Sequence, residues 1–176
     1  MTARIGEPFV LGRVLSYVDG LLGGYVPGAG PTTSEGEPVT GEWTMTRGEG
    51  FVFAPLWESD SLVGVYAPDW NEAELAVHDH LAALVEALDH RWGPHRVVGM
   101  RVPLFRRIAG EAMPPLFEAL SGQDFLGDLT VWGPLPAGPE RSPRWLAVSL
   151  NQSDGDAPVI VTAVVTDHPV IELQDD

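Results

Sequence analysis

Apolar residues at Leu11, Val14, Leu15, Val18, Leu21 and Leu22 recur with helical spacing, and Gly23 and Gly24 end the run. With Pro8 suited to a first turn, this predicts an amphipathic helix. A second stripe of Val77, Leu81, Leu84, Val85, Leu88 and Trp92 predicts another, closed by Gly93 and Pro94. Asp69 or Asn71 is its expected cap, with Glu72 or Glu74 completing a capping box. "PPLFEALSG" predicts a third, short helix that begins at proline and ends at Gly122.

Shorter runs bounded by turn residues predict strands. "EWTMTR", "FVFAPLW" and "SLVGVYA" form an expected meander, with Pro55 pushing its middle strand toward an edge or a bulge. "RVVGMRV", "DLTVWG", "RWLAVSLN" and "VIVTAVVTD" follow. The two halves echo each other as a helix followed by three strands, without matching residues. Residues 23–41 are rich in Gly, Pro, Ser and Thr, which predicts a long mobile loop. The expectation is one α+β domain over residues 1–176: a mainly antiparallel sheet of five to seven strands packed on two longer helices and one short one.

Composition narrows the chemistry. The 176 residues include no cysteine, which excludes disulfides, thiolate metal sites and cysteine nucleophiles. Arg13 and Asp19 interrupt the N-terminal apolar run, so it does not read as a secretion signal, and no run is long enough to span a bilayer. A soluble cytoplasmic protein is expected. All ten basic residues are arginine, and the net charge of -15 disfavours nucleic acid and anionic membranes while attracting a basic partner. The charge is uneven: residues 1–89 hold 3 Arg and 14 carboxylates, 90–110 hold 5 Arg and no carboxylate, and 111–176 hold 2 Arg and 11 carboxylates.

Four of five histidines lie in "VHDHLAALVEALDHRWGPHR", residues 77–96. On a helix His78 and His80 point about 160° apart, and His90 shares the face of Asp79 and Glu86. They do not converge on a metal, and His95 beyond the helix end is free to turn back. Asp167 and His168, as neighbours on a strand, are expected to face opposite sides. "GAG" at 28–30 lacks the rest of a phosphate loop, and "QSDGDAP" departs from a calcium loop and suits a hairpin turn. There is no serine-hydrolase elbow around Ser149. Neither catalytic residues nor a metal or cofactor are expected.

Arg101, Arg106 and Arg107 in "RVPLFRR" remain. They are candidates either to dock an anion, with His95 and with Trp132 or Trp145 as lining, or to balance the chain's own acids. The leading expectation is a non-enzymatic domain that binds another, basic protein, in the manner of acidic immunity or antitoxin-like inhibitors and assembly adaptors; a homodimer is compatible. The alternative is a pocketed ligand-binding domain or small enzyme built on residues 91–107. A deep pocket holding two of these arginines would favour the alternative.

Overall fold

A computed structural model describes residues 6–37 and 42–175. In chain order the elements are α1 (Leu11–Gly23), β1 (Thr33–Glu35), β2 (Met45–Gly48), β3 (Phe51–Glu58), α2 (Ala67–Trp92), β4 (Arg96–Val98), α3 (Arg101–Ala109), α4 (Pro115–Gly122), β5 (Leu129–Leu135), β6 (Arg144–Asn151) and β7 (Ile160–Thr166). The seven strands form one antiparallel sheet in the order β1-β2-β3-β7-β6-β5-β4. Two meanders, β1-β2-β3 and β5-β6-β7, thus meet along their last strands, and β4 extends the second. The expected echo of a helix followed by three strands holds only for the first half, since β4, α3 and α4 intervene between α2 and the second meander.

Both faces of the sheet are covered. On one, Val52, Ala54, Val148, Val161, Ala163 and Val165 pack beneath α1 (Val14, Val18, Leu21) and α2 (Val77, Leu84, Leu88). On the other, Phe51, Phe53, Ala147, Ile160 and Val164 pack with Trp43, Phe125 and α4 (Leu116, Phe117, Leu120). β3 and β7 are buried along their whole length, which is why both read as continuous apolar runs rather than alternating ones. The domain is α+β, with four helices where three were expected.

The arginines serve the fold. Arg144 donates from Nη1 to Leu22 O (2.8 Å) and Gly24 O (2.6 Å), and Arg141 donates to Gly23 O and Gly24 O. Between them they satisfy carbonyls at the C-terminus of α1, where positive charge is favoured. Arg91 pairs with Asp19 at 2.8 Å and ties α2 to α1.

Three expectations are corrected. "SLVGVYA" is not a strand: β3, the neighbour it would have extended as a meander, is already flanked by β2 and β7. The second helix starts at Ala67, earlier than expected, because Pro68 suits its first turn; its N-cap is Tyr66 and no side chain caps it. "RVVGMRV" leaves the sheet after Val98 and opens α3, which went unforeseen because Pro103 reads as a breaker. Within the first turn its missing N–H removes no helical bond. Gly110 then closes α3 at φ 71°, the left-handed conformation that glycine adopts without penalty.

The 23–41 loop contains β1, an edge strand paired to β2, and residues 38–41 fall outside the described ones. Of the two alternatives for Pro55 the bulge is found, while β3 is an interior strand between β2 and β7. β2 pairs only with Phe51–Phe53, so no β2 partner lies opposite Pro55, and a bulge follows between Pro55 and Trp57.

Candidate functional site

The sequence-derived candidates divide among three places. His95 and Trp132 come together. Asp89, in the last turn of α2, accepts hydrogen bonds from the His95 backbone N–H (3.1 Å) and from Trp132 Nε1 (3.0 Å). Its carboxylate also lies 2.9 Å from His95 Nδ1. The turn at Gly93 and Pro94 folds His95 back to make this possible. The His95 contact, reinforced by Trp132, holds the Asp89 carboxyl below the usual range against a smaller opposing effect of desolvation. Asp89 was not foreseen, although its six-residue spacing from His95 across a turn was visible.

The arginines lie elsewhere, on α3, and face the protein's own groups. Arg101 meets Asp175 at 2.8 Å and stacks over Phe105. Arg106 donates to Gln174 O at 3.1 Å, and Arg107 meets Asp124 at 2.5 Å. A cleft of about 460 Å³ beside α3 is lined by Val102, Phe105, Ile108, Gln174 and Asp175, and it takes in Arg106 alone of the three. Trp145 belongs to neither group. It packs on the α4 side of the sheet against Gly133, where an added Cβ would come within 2.4 Å of its ring.

His78 and His80 diverge as expected. His80 stacks on Phe9 (centroids 4.4 Å apart) and meets Trp57 edge-on, and desolvation lowers its pKa. His78 faces the other way, its Nε2 3.9 Å from Glu74 Oε1. The expectation for Asp167 and His168 is corrected: β7 ends at Thr166, so neither residue is held to strand alternation, and Nδ1 lies 2.8 Å from Oδ1. Among the described residues no group of three or more His, Asp or Glu is placed to hold a metal ion. No helix there is long and apolar enough to cross a membrane.

The feature that sequence reasoning missed lies at the start of α2. From Ala67 to Ala76 no residue is buried, and Val77 is the first to enter the core. Nearly three helical turns therefore overhang the sheet, and in the loop before them Leu62 is buried while residues 63–66 are exposed. Val63, Tyr66 and Leu75 stand there 70%, 82% and 65% exposed. Beneath the overhang is a cleft of about 200 Å³, walled by Leu62, Trp70, Val77, Leu150 and Val159, with Glu74 and His78 also in its lining. The β6–β7 turn forms its floor, held to the loop by Ser61 Oγ and the Leu62 N–H, which both donate to Asp156 O (3.2 Å each).

Electrostatically this end is one-sided. Between Arg47 and Arg91 the sequence has nine carboxylates and no arginine. Every arginine among the described residues already has an internal partner: besides those above, Arg13 pairs with Glu7, Arg47 with Glu35, and Arg96 donates to Val170 O. The cations are spent on the fold, and the α2 acids Asp69, Glu72, Glu74, Asp79 and Glu86 are exposed. Compared with protein families, with curated proteins and with solved structures, the chain matches none.

Proposed function

We propose that the protein is a non-enzymatic binding domain that docks a basic segment of another protein on the overhanging half of α2 and the loop before it. The observation that carries this reading is the coincidence, at one end, of exposed Val63, Tyr66 and Leu75 with the exposed carboxylates Asp60, Asp69, Glu72, Glu74 and Asp79, a stretch that contains no arginine. An apolar patch with a polar rim is how a partner-binding surface differs from an ordinary one, and burying a large apolar side chain contributes about 1.5–3 kcal/mol. The acids would steer a basic partner to the patch and set its orientation. A domain of this kind would act as an acidic inhibitor or assembly adaptor of its basic partner. The α3 arginines lend little to the rival reading of a ligand pocket, because each faces a group of its own chain.

Site-specific photocrosslinking in the host cell tests the proposal. A crosslinker at Tyr66 or Leu75 should give one shared adduct, weakened by salt in extracts, and a crosslinker at Ile108 should not. An adduct of equal yield at all three positions, or none at 66 and 75, refutes it.

A further inference from the structure

Resting on that docking reading, we infer that the cleft beneath α2 binds the side chain of an arginine carried by the partner's basic segment. The helix supplies one continuous wall: Trp70, Ala73, Glu74, Val77 and His78 fall at i, i+3, i+4, i+7 and i+8, so all five line the cleft. At about 200 Å³ it exceeds the roughly 150 Å³ cavity that admits benzene, and it accommodates one side chain rather than a helix.

Its polar groups select the charge of the guest. The side-chain donors of the other polar lining residues are committed to the protein. Ser59 Oγ donates to Asp60 O (2.9 Å), and Asn151 Nδ2 to Ser149 Oγ (2.7 Å) and Thr162 Oγ1 (3.2 Å). Gln152 Nε2 donates to Gly155 O (3.0 Å) and Ala157 O (2.9 Å). Glu74 is the one carboxylate in the lining, and 3.9 Å from His78 is too long for a hydrogen bond. The cleft therefore offers a carboxylate acceptor, an indole face and apolar walls, with the side-chain N–H and O–H groups of Ser59, Asn151 and Gln152 turned to the protein.

An arginine side chain answers all three. Its aliphatic stem lies against Leu62, Leu150 and Val159, its guanidinium fork meets the Glu74 carboxylate, and its plane stacks on Trp70. Lysine matches the charge but neither the fork nor the plane.

The test uses the full chain and blocked single amino acids, N-acetyl arginine amide against the neutral isostere N-acetyl citrulline amide and against N-acetyl lysine amide. The Trp70 indole N–H is followed by NMR and assigned through Trp70→Phe. Saturable shifts are expected with the arginine probe. Affinity should be about fivefold or more lower for the citrulline and lysine probes and for arginine on Glu74→Gln, and unchanged on Glu86→Gln, an exposed acid of the same helix outside the cleft. Equal binding of citrulline or lysine, or indifference to Glu74→Gln, overturns the inference. A salt-sensitive adduct at 66 and 75 without arginine-probe binding leaves the docking reading standing and removes this one; probe binding without an adduct removes the docking reading, and with it the partner as the source of the arginine.

Discussion

Glu58 provides the sharpest test of the energetics. It ends β3 opposite Ile160, on the α4 side of the sheet, and the residue is 4% exposed. Its carboxylate has no hydrogen-bond or ion-pair partner among the described residues, and burial raises its pKa from the usual 4.5 to about 7. At about 1.4 kcal/mol per unit, the ionised form costs the folded state up to ~3 kcal/mol; residual contact with water reduces this to about 1–2 kcal/mol. The sign follows from linkage. Below the unfolded value the carboxyl is neutral in both states and costs nothing. As pH rises from about 4.5 to about 7 the unfolded chain ionises first, so stability falls through that window and the penalty is complete above it. Glu58→Gln, which keeps shape and removes the charge, should therefore match wild type near pH 4.5 and exceed it by about 1–2 kcal/mol at about pH 8. Urea denaturation across that range, with exposed Glu86→Gln as control for the loss of one charge from an acidic chain, measures the difference. A gap that does not change with pH, or a variant less stable than wild type at the alkaline end, would show that the carboxylate is solvated or partnered and that the reasoning is wrong.

Asp89→Ala should lower the melting temperature and change the Trp132 environment seen by near-UV circular dichroism. Because the folded carboxyl sits below its usual value, its contribution is present above that value and lost as pH falls through the folded one, so acid unfolding of variant and wild type should converge at the low end; parallel curves would count against the Asp89–His95 pair. Replacing Arg106 and Arg107 together by alanine should cost roughly 0–1 kcal/mol per exposed pair, shrinking as salt rises, because Arg107 meets Asp124 at the surface and Arg106 reaches the Gln174 carbonyl. A loss insensitive to salt in melting curves would refute that assignment. Gly127→Ala should cost about 2 kcal/mol or more, since the new Cβ would lie 2.1 Å from the Leu150 carbonyl oxygen and press on Asn151; equal stability in urea would mean the loop shifts freely.

What the sequence disclosed depended on how strongly an element's pattern was tied to burial. α1, α4, β6 and β7 were legible because their apolar residues enter the core and their ends carry glycine, proline or turn residues. α3 was not, since its apolar residues Phe105 and Ile108 face outward and Pro103 imitates a stop. "SLVGVYA" misled for the same reason in reverse: Val63, Val65 and Tyr66 have strand-like composition without a core to face. Exposed apolar residues are indistinguishable from buried ones in a single sequence, and they are the material of the candidate site. The cleft itself joins α2 to Leu150 and Val159, and nothing local announces a contact at that separation. The sequence singles out His95 and Trp132 together but passes over Asp89, which joins them although it lies only six residues from His95 across a turn.

The meeting of the two meanders along β3 and β7 has a consequence for how the chain is made. Phe51 pairs with Thr166 and Glu58 with Ile160, so the middle of the sheet is its least local contact, and the strand that completes it is the last of the seven to leave the ribosome. Until then β3 presents an open edge, apolar from Phe51 to Trp57, a template for pairing with the wrong chain. Loop closure of this length slows folding relative to a sheet built outward from a hairpin. A nascent chain stalled after β6 would hold nearly all the residues of the fold and yet consist of two unjoined half-sheets, each exposing the flank meant for β7. Folding of the sheet thereby waits on the synthesis of β7, and the interval before it is when this domain depends most on dilution or on chaperones.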